Sequence, residues 1–343
     1  MSDTKHASRL VLITAPFREQ WIERVQQISP ELRVERRPDA HITGVPDEIL
    51  RQTEILYTTM ILPTPEQAPA LRWIQLFSAG ADHLLTRPIY QSDVTITTAS
   101  GVHAVNIAEY VFAMLLAWYH RLAHMFEWQR EGRWPDDRIR ESVFVADELR
   151  GKTIGIVGYG SIGREVARLA QAFGMRVLAM QRGSDHRDHG FVFPGVGDPE
   201  GSIPQRFYAP DQLHALLEES DVVVIAVPLT PQTKGMFDEA AFRAMKTSAV
   251  LVNIARGGVC DEPALLHALQ EGWIAGALLD VFAQEPLPDD SPFFRQHNVI
   301  ISPHISGLTT QYLERAATIF LENLRRYLRG EPLYNVVEKE RGY

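Results

Sequence analysis

Residues 152–170 constrain this chain more than any other stretch. An apolar run ending in Gly155-Ile156-Val157 meets Gly158-Tyr159-Gly160-Ser161-Ile162-Gly163, and Val166-Ala167-Arg168-Leu169-Ala170 continues in a helical pattern. The order predicts a strand, a tight turn and a helix. Gly158 permits the turn, Gly160 lets the backbone approach a pyrophosphate, and Gly163 lets helix and strand pack closely. Amides at the helix start, those of Ser161 and Ile162 included, then meet negative charge. Three glycines at this spacing also occur in plain strand–helix turns. The strand before, the helix after and a second apolar strand at residues 176–180 favour a dinucleotide site.

The chain has 343 residues, too many for one ordinary core and enough for two domains. Its 45% hydrophobic and 22% charged residues match a soluble globular protein. A net charge of −9 argues against a broad basic surface that grips nucleic acid. The single cysteine, Cys260, can form no internal disulfide, and no Cys/His group has zinc spacing. No metal is expected, and a reducing cytoplasm is. Residues 1–6 lead towards a strand without the apolar core of a signal peptide. The longest apolar run, residues 110–119, is far shorter than the about 20 that span a bilayer, so it predicts a buried helix and no membrane contact.

Strand and helix patterns alternate along the chain, which predicts α/β architecture with parallel sheets. Strands are expected at residues 10–14, 32–34, 55–57, 73–76 and 94–97. A helix is expected at 19–28, with others starting near Pro46 and Pro65, where proline suits a first turn. One long helix is expected from Val105 to about Arg130. Beyond it, six strands (near Ile154 and Val177, then at 222–226, 249–252, 276–279 and 299–301) would fill a doubly wound domain. The last helix is expected over 309–328, with Leu313, Ala316, Ala317, Phe320, Leu324 and Leu328 on one stripe, a stop at Gly330 and a mobile tail at 338–343. Residues 183–207, rich in Gly, Pro and charge, read as a surface insertion. His186 and His189 lie three apart inside it, but no predicted helix fixes them as metal ligands, and a solvated loop is expected.

Three polar groups follow strands of the second region, where doubly wound folds place their sites. Arg256 follows the strand ending at Asn253, Glu285 follows the strand near 278–281, and His304 follows the strand at 299–301. Each has a bland alternative: an exposed arginine in a glycine turn, a loop glutamate, a structural histidine. Their convergence beside a dinucleotide motif favours a joint role.

With these residues in view, the chain resembles the D-isomer-specific 2-hydroxyacid dehydrogenases over nearly its whole length. The resemblance rests on residues 158–163, Val227-Pro228-Leu229-Thr230, Asn253-Ile254-Ala255-Arg256-Gly257, Asp280-Val281-Phe282 with Glu285-Pro286, and Ser302-Pro303-His304. It implies a doubly wound Rossmann cofactor domain, residues 104–304, inserted into a smaller flavodoxin-like α/β substrate domain made of residues 1–103 and 305–343. It also implies homodimers, and a substrate held in the cleft between domains. By the same resemblance the dinucleotide lies against Gly158, Tyr159, Gly160, Ser161 and Ile162. It then passes Gln181 and Arg182, Val227, Pro228 and Thr233, Ile254 and Ala255, Asp280 near the nicotinamide, and Ser306 and Gly307. Arg256 and His304 border cofactor and substrate alike, and the amides of Ala79 and Gly80 help to hold the substrate carboxylate.

The implied chemistry suits these residue types. A 2-keto acid presents a carboxylate beside a carbonyl, and the planar guanidinium of Arg256 can hold both. Hydride attack builds negative charge on the carbonyl oxygen, and His304 can deliver the proton. Glu285 would orient the imidazole and favour its protonated form. NAD-preferring relatives carry an acidic residue at the end of the second strand to bond the ribose 2′-hydroxyl. Here Gln181 stands there with Arg182 next, which favours the 2′-phosphate of NADP over NAD. The expected activity is therefore NADPH-linked reduction of a small 2-keto acid. Glyoxylate, hydroxypyruvate, branched keto acids and a phosphorylated serine precursor all satisfy the pattern. A formate-dehydrogenase-like enzyme is one alternative, disfavoured because such relatives carry glutamine at the place of Glu285. A nucleotide-sensing corepressor or scaffold is another, disfavoured by the intact Arg256, Glu285 and His304.

Overall fold

A computed structural model describes residues 8–38 and 44–339; expectations for residues 1–6 and for the last part of the tail, residues 340–343, lie outside them. The described chain divides into two compact units. One takes its residues from Met1–His103, His189–Phe191 and Thr309–Tyr343, the other from Ala104–Asp188 and Val192–Leu308.

The first unit opens with β1 (Arg9–Ile13), α1 (Glu19–Ile28), β2 (Leu32–Arg36), α2 (Asp47–Gln52), β3 (Thr53–Thr58), β4 (Trp73–Leu76) and β5 (Thr95–Thr97). The strands pair in parallel in the order β2-β1-β3-β4-β5, the flavodoxin-like order. No helix forms at Pro65. The amides of Gln67 and Ala68 bond back to Thr64, and Pro69 has no amide hydrogen with which to extend the ladder.

The second unit begins with α3 (Ala104–Tyr119), α4 (Leu122–Arg130) and α5 (Asp137–Val143). The single long helix expected over 105–130 is thus two, separated at Arg121 with φ 56°. The buried face of α3 ends at Tyr119 and α4 buries no residue, so packing beyond that point does not hold the axis straight. There follow β6 (Thr153–Val157), α6 (Ser161–Ala172), β7 (Arg176–Met180), β8 (Arg206–Tyr208), α7 (Leu213–Glu219), β9 (Val222–Ile225), α8 (Glu239–Ala244), β10 (Val250–Asn253), α9 (Glu262–Gln270), β11 (Gly276–Leu279) and β12 (Val299–Ile301). Seven strands, not six, form one parallel sheet in the order β12-β11-β10-β9-β6-β7-β8. The additional strand, β8, lies at the end of the segment read as a surface insertion, and Met180 of β7 pairs with Tyr208.

This sheet is buried on both faces, which explains its uninterrupted apolar strands. Val157, Leu178, Val223, Ile225, Leu251 and Leu279 pack with α7, α8 and α9. Their neighbours Ile154, Ile156, Val177, Val222, Val224 and Val252 pack with α3 and α6 on the other face. The order reverses at β6, whose two sides carry β7 and β9. That switch point is where the strand ends leave a crevice.

The chain returns to the first unit through α10 (Tyr312–Arg329), which ends at Gly330. Ala317, Phe320 and Leu324 are buried with Trp21, Tyr57 and Trp73, and the Phe320 ring lies 4.7 Å from Tyr57 and 5.6 Å from Trp73. The tail is held as far as Lys339, whose carbonyl accepts a 2.8 Å hydrogen bond from the Tyr90 hydroxyl. Mobility was expected from residue 338 onward; this contact corrects it for that stretch. No described helix is long and apolar enough to cross a membrane.

Candidate active site

The strand–turn–helix of residues 153–172 forms as its glycines require. Gly158 has φ +107°, and a Cβ there would lie 2.7 Å from the Ala226 carbonyl group, just past β9. A Cβ on Gly163 would lie 2.2 Å from the Gly158 oxygen, so any side chain would part helix from strand. At Gly160 a Cβ would meet nothing within 4 Å. The first turn of α6, beginning at Ser161 and Ile162, contains no carboxylate. Open space, free helix-start amides and absent negative charge fit a pyrophosphate.

The flanking residues complete this side. Val227, beside Pro228, puts its Cγ1 2.9 Å from the would-be Cβ of Gly158. Thr233 donates to the Pro228 carbonyl at 2.6 Å and its hydroxyl accepts from the Thr230 amide at 2.8 Å, closing the loop after β9. Gln181 and Arg182 follow β7 directly. The Gln181 amide nitrogen donates to the Asp185 carbonyl at 3.2 Å, while its oxygen is buried without a protein partner. Arg182 is exposed. Arg187, a second cation in this region, pairs with Asp185 at 3.3 Å.

Arg256, Glu285 and His304 follow β10, β11 and β12, three neighbouring strands. His304 Nδ1 lies 2.7 Å from Glu285 Oε2. A carboxylate only accepts, so Nδ1 carries the hydrogen and Nε2 is left for other chemistry. The other Glu285 oxygen accepts from the Phe282 amide at 3.0 Å. Partial burial works to raise the Glu285 pKa, but the bonds from His304 and Phe282 and the charge of Arg256 outweigh it and hold the carboxyl below its ordinary value. Since the native pKa is depressed, the pairing stabilises the fold above about pH 4.3, the unfolded value. The contribution is lost as pH falls through the lower native value.

Buried groups fix these side chains. Asn253, 1% exposed, accepts from the Ala255 amide at 3.1 Å and donates to the Arg256 carbonyl at 3.2 Å, with Ile254 and Ala255 buried beside it. Asp280 is also 1% exposed, and both its oxygens are engaged: Oδ1 by Ser302 Oγ at 2.5 Å and the Ile305 amide at 2.9 Å, Oδ2 by the Ser306 amide at 2.9 Å. Asp280 also accepts the His304 amide at its carbonyl, 2.9 Å away. His304 sits at φ 53°, a left-handed conformation that costs a non-glycine residue about 1–3 kcal/mol, and the hydrogen bonds from its own amide and from its two followers hold it there. Ser302 gives its one hydrogen to Asp280, so Tyr110 of α3 is the donor in the contact between their hydroxyls.

Two of these features had no signal in single residue types. Tyr110 lay inside an apolar run, and Gly257 looked like an ordinary turn glycine. A Cβ on Gly257 would lie 1.9 Å from the Phe282 carbonyl carbon and 2.2 Å from the Ala283 nitrogen. This close approach brings the Arg256 turn against the loop that carries Glu285. Glu262 braces the same loop by accepting the Ala283 amide at 2.6 Å. Ala79 and Gly80 belong to the first unit, just past β4, where the Ser78 hydroxyl donates to the Gly80 carbonyl at 2.7 Å. Among the described residues no group of three or more His, Cys, Asp or Glu could hold a metal.

The profile of the D-isomer specific 2-hydroxyacid dehydrogenase, NAD binding domain, matches residues 112–306. The chain belongs to that family. It is an NAD(P)-dependent oxidoreductase with a Rossmann domain. Over 278 residues it is 37% identical to glyoxylate reductase from Korarchaeum cryptofilum (strain OPF8), covering 80% of this chain and 78% of that one. A D-isomer specific 2-hydroxyacid dehydrogenase from Xanthobacter autotrophicus Py2, solved with NADPH and MES, superposes with TM-score 0.75 at 28% identity, over 98% of this chain and 100% of that one. An NADPH-dependent glyoxylate/hydroxypyruvate reductase from Sinorhizobium meliloti, solved with NADP and sulfate, gives 0.72 at 26% identity, over 98% and 100%.

For this dehydrogenase the Gly257 contact yields a direct test. Gly257→Ala should part the Arg256 turn from the Glu285 loop and lower turnover by about 100-fold, the scale of a 1 Å misplacement. Nucleotide titration should show binding retained. Wild-type turnover in the variant would show that this contact does not set the spacing.

Proposed function

We propose that this dehydrogenase reduces a small 2-keto acid of the glyoxylate or hydroxypyruvate type to the D-2-hydroxy acid, with NADPH as preferred reductant. The observation that carries the reading is the 2.7 Å His304–Glu285 pair, on strand ends adjoining that of Arg256. A nicotinamide bound at the strand ends would supply the hydride. Arg256 binds the substrate carboxylate and carbonyl. His304 delivers the proton from Nε2 as negative charge grows on the carbonyl oxygen. Glu285 keeps the imidazole turned, and Asp280 holds the loop on which His304 sits. The names and ligands of the Korarchaeum, Xanthobacter and Sinorhizobium proteins support the substrate class and the cofactor.

NADPH preference rests on Gln181 and Arg182 at the end of β7. Neither carries the negative charge that would repel a 2′-phosphate, and Arg182 offers a cation. Arg187, paired with Asp185, is a second cation of the same region. The same reading assigns the exposed α4–α5 segment, with Phe126 52% and Trp134 86% exposed, to contact with a second copy of the chain.

In steady-state assays with a panel of 2-keto acids, His304→Ala should lower kcat by about 100-fold or more. Arg256→Ala should mainly raise the keto-acid KM. Glu285→Gln removes the carboxylate that orients the imidazole, so it should lower kcat more than it raises the keto-acid KM. Wild-type kcat in that variant would remove the glutamate from the mechanism.

Wild type should favour NADPH over NADH about 10-fold, the worth of a partly exposed Arg–phosphate contact of about 1–2 kcal/mol. Gln181→Asp with Arg182→Ala should reverse the preference. Equal use of both nucleotides by wild type would overturn this assignment while leaving the reductase reading intact.

Light scattering after size exclusion should give twice the chain mass. A monomer at micromolar concentration would refute the paired α4–α5 surface.

A further inference from the structure

The segment read as a solvated surface insertion is neither wholly on the surface nor loose. Asp198 within it is 4% exposed, and its carboxylate accepts four hydrogen bonds: the Tyr159 hydroxyl at 2.7 Å, the Ser202 amide at 3.0 Å and hydroxyl at 3.2 Å, and the Ile203 amide at 3.0 Å. Tyr159 is the residue between Gly158 and Gly160, and it is itself 4% exposed. Arg164, the residue after Gly163, is 2% exposed and reaches into the same segment. It donates to the Asp198 carbonyl at 2.6 Å and the His186 carbonyl at 2.8 Å, pairs with Asp188 at 3.4 Å, and lies 4.8 Å from the Tyr159 ring centre. Glu165, 1% exposed, accepts the Gly197 amide at 2.6 Å while it pairs with Arg168. On the far side the His186 ring stacks on Phe207 of β8, 3.6 Å between centres with the planes 3° apart.

Buried charges occur only where partners compensate them, and here the bonds from Tyr159 to Asp198, from Arg164 to Asp198, His186 and Asp188, and from Gly197 to Glu165 join the insertion to the glycine motif and its helix. The two glycines around Tyr159 give that turn backbone freedom, and a site whose amides must converge gains affinity when that freedom is lost before the ligand arrives.

We propose that the 183–205 insertion is a clamp on the nucleotide loop: Asp198 and Arg164 lock Tyr159, so the loop is set for the pyrophosphate before the dinucleotide binds. Tyr159 then contributes to the cofactor site through its backbone, its side chain being committed to Asp198. Asp198 is a positioning residue, acting through Tyr159 and touching no reactant. The inference rests on the nucleotide role of the glycine loop and is independent of the keto-acid assignment.

Two variants test it in the full-length protein. Tyr159→Phe removes one hydroxyl and keeps the ring; Asp198→Asn keeps the shape and removes the charge. Each should weaken NADPH binding about 10-fold in calorimetric titration, with the kinetic loss concentrated in KM for NADPH rather than in kcat. Without nucleotide, amide hydrogen exchange should accelerate in both the insertion and residues 158–162. NADPH affinity within two-fold of wild type in Tyr159→Phe would overturn the proposal even if Asp198→Asn failed to fold. A wild type that bound neither NADPH nor NADH would overturn the nucleotide role of the loop and the clamp with it.

Discussion

The buried carboxylate of Asp280 is the point on which the site depends. A carboxylate placed in a protein interior is unfavourable unless its oxygens are occupied, and this one is occupied by a hydroxyl and two amides of the chain after β12. Satisfying it fixes Ser302, Ile305 and Ser306, and between them His304 is left at a backbone angle it would otherwise avoid. The imidazole is thereby delivered to Glu285. The sheet supplies the rest of the precision: β10, β11 and β12 are adjacent, parallel and end on one edge, so residues far apart in sequence come together.

Around that centre the same device recurs. Asn253 holds the Arg256 turn through its own backbone, and Glu262 holds the loop before Glu285. Asp198 and Arg164 hold the nucleotide turn. In each case a polar side chain ties down a loop that secondary structure leaves unpaired. Loops on a parallel sheet are free to vary, and these side chains make particular ones rigid enough for chemistry.

Much of this was legible in the residues. Both faces of the nucleotide sheet pack against helices, so its strands appear as unbroken apolar runs and were readily placed. The glycines at 158, 160 and 163 announced the turn because no other residue fits two of those positions. Arg256, Glu285 and His304 stood out as candidates because each lies three to six residues past a strand. The errors share a cause. The break at Arg121 lacks glycine or proline and follows from where burial stops, which is a property of packing. Strand β8 is three residues long and hidden behind a polar segment. That segment looked solvated because its carboxylates meet Arg164 and Tyr159 and its Gly197 amide meets Glu165, residues whose inward direction the local pattern does not reveal. The roles of Gly257 and Tyr110 likewise depend on contacts distant in sequence.

If Arg256, His304 and Glu285 act together, hydride reaches one face of the keto carbon while the proton goes to its oxygen, and the product reads out both. Hydroxypyruvate should be converted with NADPH and the glycerate resolved on a chiral column. D-glycerate should form, one for one with NADPH oxidised. L-glycerate, a racemate, or NADPH oxidation without any hydroxy acid would contradict this joint action.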